Sequence, residues 1–147
     1  MEKSNFQKSE TGIILVISYA VLFIVNCAVI FAANIIFPTQ VVLGTKSLSL
    51  IWAGVLSMGV LTLINTFAVP IIRVIENSRK KMFTTKDWMV SYFLLNFVGV
   101  WLVARCATEL GMGISSWVVA LVLAVVLDVV QGVAMMQLEK MKKTYKI

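Results

Sequence analysis

The chain has 147 residues, of which 60% are apolar and 14% charged; a soluble domain carries about 25% charged residues, so the composition excludes an ordinary water-soluble globule. There is no histidine, which removes the commonest metal ligand and the usual proton shuttle near neutral pH. Cys27 and Cys106 lie in apolar runs without a C-x-x-C pairing and read as small buried hydrophobes.

Four apolar segments follow one another along the chain. They cover residues 12–37, 48–72, 88–110 and 114–138. Each exceeds the roughly 20 residues that an α-helix needs to cross a hydrocarbon core, and none shows the alternation of a membrane β-strand. The sequence therefore predicts an all-α bundle of four transmembrane helices. The first segment is longer than the apolar core of a signal peptide, about 7–15 residues, and no small-residue cleavage pattern follows it. It is expected to stay in the mature protein. Residues 1–147 then form a single integral membrane domain, with a basic linker at 73–87 and a basic tail at 139–147.

The charges lie at the segment ends. Eleven of the thirteen Lys and Arg precede the first segment, separate the second from the third, or follow the fourth. They are Lys3, Lys8, Arg73, Arg79, Lys80, Lys81, Lys86, Lys140, Lys142, Lys143 and Lys146. The opposite side has Lys46 alone in its loops. The positive-inside rule places both termini and the middle loop in the cytoplasm, as expected of a multi-pass protein of a bacterial cytoplasmic membrane. The net charge of +6 is thus spent on anionic lipid head groups, with Arg79, Lys80, Lys81, Lys142 and Lys143 as the contacts; a basic patch for a partner is the rival reading. Nucleic acid is not an expected partner.

The two halves look alike. "SLIWAGVLSMGVL" (Ser49–Leu61) parallels "ISSWVVALVLAVVL" (Ile114–Leu127), with Trp52 and Trp117 opening the two helices after short loops that contain glycine. "ISYAVLF" (Ile17–Phe23) parallels "VSYFLLN" (Val90–Asn96) more loosely. This predicts two helical hairpins in parallel repeat, related by an axis along the membrane normal. The tryptophans also read as interfacial anchors.

These stretches resemble the YvlD-like family of small bacterial membrane proteins, also called the four-helix phage-holin-like family. The likeness runs over residues 15–138 and includes Ile64, Asn65 and Pro70 in the second segment and Asn96 in the third. It implies four transmembrane segments with a loop-and-tryptophan hairpin used twice. The middle loop here is longer and more basic than that pattern, and Asp128 has no counterpart in it.

Polar groups inside apolar helices stand out, because in lipid the backbone satisfies itself. Asn26 and Asn34 lie in the first segment, Ser57, Thr62, Asn65 and Thr66 in the second, and Asn96 in the third. Asp128 and Gln131 lie in the fourth. Hairpin geometry puts Asp128, Asn96, Asn65 and Gln131 at similar depth, with Asn96 as the expected neighbour of Asp128. This layer either hydrogen-bonds the helices together or handles an ion or a proton through Asp128. Arg105 and Glu109 have salt-bridge spacing near one end of the third helix; an oligomer contact or charged vestibule is the alternative. Pro70 predicts a kink in the second helix.

No phosphate-cradling glycine loop with Lys, no H-E-x-x-H and no G-x-S-x-G occurs in the sequence. No catalytic residue, metal or cofactor is expected. The expected protein is a homo-oligomer in an anionic bilayer, acting in membrane permeation or scaffolding as a holin-like or channel-like assembly. A small ion- or proton-coupled transporter using Asp128, or an accessory subunit of a larger membrane complex, are the alternatives.

Overall fold

The computed structural model describes the backbone of residues 2–145 and the side chains of residues 12–144. Five helices and two short strands run in the order α1 (Glu2–Ile36), β1 (Val41–Leu43), α2 (Leu50–Arg79), α3 (Thr85–Arg105), α4 (Ala107–Leu110), β2 (Met112–Ile114) and α5 (Trp117–Tyr145). The four long helices are each long and apolar enough to cross a membrane. They pack as a ring in which α1 lies between α2 and α5, and α3 lies between the same two. The up-and-down path brings the start of α1 and the end of α5 to one end of the bundle, here called the termini end.

The helices outrun the apolar segments. α2 has 30 residues and α5 has 29, so each is about 45 Å long at 1.5 Å per residue. A hydrocarbon core is about 30 Å thick. Apolarity stops at the membrane edge, but helical hydrogen bonding continues wherever water can complete it. Most of the basic linker expected at 73–87 is therefore helix, as is most of the tail expected at 139–147. The turn between α2 and α3 shrinks to Lys80–Thr84. Lys80 ends α2 in the left-handed conformation (φ 51°). Thr84 and Asp87 then start α3 as a capping box: Thr84 N–H donates to Asp87 Oδ2 at 2.9 Å, and Asp87 N–H donates to Thr84 Oγ1 at 3.3 Å. Glu76 closes the turn by accepting from Phe83 N–H at 2.7 Å.

At the opposite end the two loops clasp each other. β1 pairs antiparallel with β2, with Val42 opposite Gly113. Gly44 N–H donates to the Gly111 carbonyl at 2.8 Å, and both glycines have positive φ (98° and 81°), where a side chain is strained. A Cβ on Gly111 would also stand 2.6 Å from Ala53 Cβ. Asn34 Nδ2 donates to the Val41 carbonyl at 2.8 Å, and Ser57 Oγ to the Leu110 carbonyl at 2.9 Å. The clasp thereby ties α1, α2 and the α3–α5 connection.

Packing inside the bundle relies on small residues. Ala53, Ala120 and Ala124 are fully buried. Gly54 lies under the Phe31 ring and Gly99 under Leu61, so α1, α2 and α3 approach closely at those points. Ile24, Phe67, Val122 and Val129 instead face outward and are more than half exposed. The outside is as apolar as the inside, which suits lipid rather than water. Trp52 and Trp117 start α2 and α5 at the clasp end, both exposed, as interfacial aromatic residues are.

Candidate functional site

The centre of the bundle holds a closed chain of side-chain hydrogen bonds. Asn65 on α2 donates through Nδ2 to Asn96 Oδ1 on α3 at 2.8 Å. Asn96 Nδ2 donates to Gln131 Oε1 on α5 at 3.0 Å. Gln131 Nε2 donates to Asn26 Oδ1 on α1 at 2.7 Å and, at 3.3 Å, back to Asn96 Oδ1. Asn26 Nδ2 donates to Thr62 Oγ1 on α2 at 2.9 Å, and the Thr62 hydroxyl ends the chain on its own helix, on the Met58 carbonyl at 2.6 Å. The path visits all four long helices in ring order and returns to the one it left.

Helix geometry explains why these residues meet. Asn26 and Thr62 are each 18 residues from Gly44 in the first loop, so an antiparallel hairpin puts them at one level. Asn96 and Gln131 are each 17 residues from the Gly113–Ile114 step in the second loop, at nearly the same level. Asn26, Thr62, Asn65 and Asn96 are wholly buried and Gln131 nearly so. Primary amides suit such a place, since each carries both donors and an acceptor and needs no charge to do so. Between membrane helices such bonds contribute about 0.6 kcal/mol each, up to about 1.7. The set therefore holds the bundle by a few kcal/mol and fixes the rotation of each helix about its axis. Asn65 Oδ1 and Thr66 Oγ1 are buried acceptors that make no hydrogen bond within the described residues. Both lie one turn before Pro70, which stands inside a helix that continues to Arg79 and cannot donate to the Thr66 carbonyl.

The expected layer of Asp128, Asn96, Asn65 and Gln131 is thus divided. Asn65, Asn96 and Gln131 meet, joined by Asn26 and Thr62, and Asp128 stands apart. Asn96, the neighbour expected for Asp128, is occupied by Asn65 and Gln131. Asp128 is half-buried and sits on the flank of α5, about 60° around the helix from Gln131 at 100° per residue. It makes no side-chain hydrogen bond among the described residues. Asn26 and Thr62 were detectable in the sequence through their equal distance from Gly44.

Arg105 and Glu109 do not share a continuous helical face. α3 ends at Arg105, and the Cys106 N–H divides between the Leu102 and Val103 carbonyls. Glu109 belongs to the separate single turn α4. The third helix expected to reach residue 110 is shortened because the chain must turn into β2. The Arg105 guanidinium lies over the Trp101 ring, 4.5 Å from its centroid, a cation–π contact. Arg79, Lys80, Lys81 and Lys143 are exposed and Lys142 partly so, all at the termini end. Lys3, Lys8 and Lys146 lie outside the residues whose side chains are described. Cys27 and Cys106 are both free thiols.

Fold and centre together define a four-helix bundle of membrane-spanning length, locked by side-chain amides. No protein-family model matches the chain, and neither a curated protein nor a solved structure matches it.

Proposed function

We propose that the protein is an oligomeric, non-enzymatic integral membrane protein that acts in membrane permeation or scaffolding, with subunit contacts on the α5 flank. The observation that carries this reading is the contrast between a plugged centre and a bare flank. Buried amides fill the bundle axis, so one copy offers no route along it. Asp128 sits half-buried on the flank of α5, where a carboxylate in hydrocarbon is costly. A second copy that brings a hydrogen-bond donor to that flank offsets the cost, and any conducting path then forms between subunits. The resemblance to holin-like proteins points the same way.

The two hairpins act as a parallel repeat in this reading. Support comes from the ring order, in which α1–α2 alternates with α3–α5, and from β1 and β2, whose antiparallel pairing matches a two-fold relation between their loops. The charge asymmetry sets the termini end in the cytoplasm of a bacterial-type cell, with the basic residues against anionic lipid.

A second reading rests on the same carboxylate: an accessory subunit in which Asp128 meets a donor on a larger membrane protein. A transporter using Asp128 is the third. The test is the oligomeric state in lipid, followed by ion flux from liposomes containing wild type or Asp128→Asn. The proposed assembly is oligomeric and keeps its flux in Asp128→Asn, because the amide still hydrogen-bonds. Flux lost while the oligomer persists favours the transporter. A monomer without flux overturns both and leaves the accessory subunit.

A further inference from the structure

Arg105 stands at the edge of a cavity of about 280 Å³ at the clasp end, between the end of α3 and the start of α5. Trp101 and Trp117 line it together with Ser115 and Ser116. None of its lining residues is acidic. The Ser115 hydroxyl is engaged by Gln40 Oε1, and the Ser116 hydroxyl and the guanidinium are donors that make no hydrogen bond to an acceptor among the described residues. The guanidinium lies over the Trp101 ring, 4.5 Å from its centroid, and Arg presents paired N–H groups to an oxyanion. The exposed rings of Trp52 and Trp117 put this cavity at the level where a bilayer's head groups lie. At that level the oxyanion present in quantity is the phosphodiester of a phospholipid.

We propose that this cavity is a phospholipid head-group site in the leaflet at the clasp end, with Arg105 and Ser116 holding the phosphate and the two tryptophans lying along the upper part of the lipid. The site rests on the chain spanning a bilayer; it does not depend on the oligomer or on Asp128. The site explains why a cation persists at the end of the bundle that otherwise has only Lys46, since there it serves one lipid rather than a leaflet.

Native mass spectrometry of the full chain in a neutral detergent tests the proposal. The probes are phosphatidylglycerol and a diacylglycerol with the same acyl chains. Wild type retains the phospholipid in preference to the diacylglycerol. Arg105→Gln lowers that occupancy about tenfold, as loss of one charge-assisted contact implies, and Lys46→Gln, at the same end but outside the cavity lining, leaves it unchanged. Ser116→Ala gives a smaller loss. Arg105 is exposed, so the variant keeps its fold, and its unfolding temperature without lipid checks this. The wild-type measurement stands without any variant: equal retention of the two lipids overturns the proposal. So does an occupancy unchanged in Arg105→Gln. Displacement of the lipid by millimolar inorganic phosphate assigns the site to free phosphate and overturns its lipid source.

Discussion

Gln131 and Asp128 lie three residues apart on α5, and the bundle treats them in opposite ways. Gln131 points into the centre, where it bonds to both neighbouring helices. Asp128 points to the flank and bonds to neither. The difference shows what the interior of this bundle accepts. A neutral amide divides its donors and acceptor among partners and asks for no counter-charge. A carboxylate needs a cation or a proton, and the centre supplies no cation among the described residues. Polarity that holds the monomer together has gone inside; polarity left on the outside is available to something else.

The contrast breaks most visibly at Asn96, which takes part in three of the central bonds. Asn96→Leu keeps the volume roughly and leaves Asn65 Nδ2 and Gln131 Oε1 buried without partners. Each such orphan costs about 1–3 kcal/mol, so the expected loss for the two is about 2–6 kcal/mol. Thermal unfolding in detergent measures it, and a variant as stable as wild type contradicts a centre that locks the helices.

The clasp gives the next largest effect and acts by another mechanism. Gly111→Ala places a methyl 2.6 Å from Ala53 Cβ at a backbone φ of 81°. Left-handed strain costs about 1–2 kcal/mol, and the α2 contact adds to it, for about 2 kcal/mol in all. Hydrogen exchange of the β1 and β2 amides checks where the damage falls. Exchange should rise at the clasp and stay slow in the middle of α2 and α3. Uniform acceleration would mean that clasp and centre are one cooperative unit.

How much of this was legible in the sequence differs between the same regions. The four spans were, because length and apolarity decide them. The rough level of the central amides was too, because an antiparallel hairpin equates distances from its turn, but a turn placed at Met112–Gly113 set Asp128 opposite Asn96, whereas Gln131 takes that place. The sidedness of Asp128 was not. In a soluble helix the apolar stripe marks the core, but α5 is apolar all round, and only its small residues Ala120 and Ala124 mark the buried face. The break after Arg105 was also hidden, since Arg105, Cys106 and Ala107 are compatible with a helix. The pull of β2 toward β1 ends α3, and that pairing joins residues about 70 positions apart. The ends of α2 and α5 escaped for a third reason, as hydropathy registers the membrane and not the helix.

A smaller effect separates the individual links of the centre. Asn26 and Thr62 meet at 2.9 Å, and each also has another bond. A double-mutant cycle with Asn26→Ala and Thr62→Val should therefore give a coupling of about 0.6 kcal/mol, and no more than about 1.7. A coupling near zero would assign the stability of this region to packing around Met58 and Leu61 instead.

The smallest effect on the monomer, and the one most informative about function, belongs to Asp128. In detergent micelles its carboxyl reaches water and touches no partner, so Asp128→Leu should change stability by about 0.5 kcal/mol or less. In a bilayer the same side chain is costly, by about 2.5–3.5 kcal/mol at the middle of a lone helix. A hydrogen-bond donor on another copy relieves that cost, and leucine removes the reason for the contact without disturbing the fold. Asp128→Leu should therefore dissociate in liposomes at a higher protein-to-lipid ratio than wild type, read as loss of energy transfer between labelled copies on dilution, while Asp128→Asn falls between the two. Identical dilution curves for all three would separate the carboxylate from self-association. The flank would then be left to a different membrane partner, and Asp128 would be its point of contact.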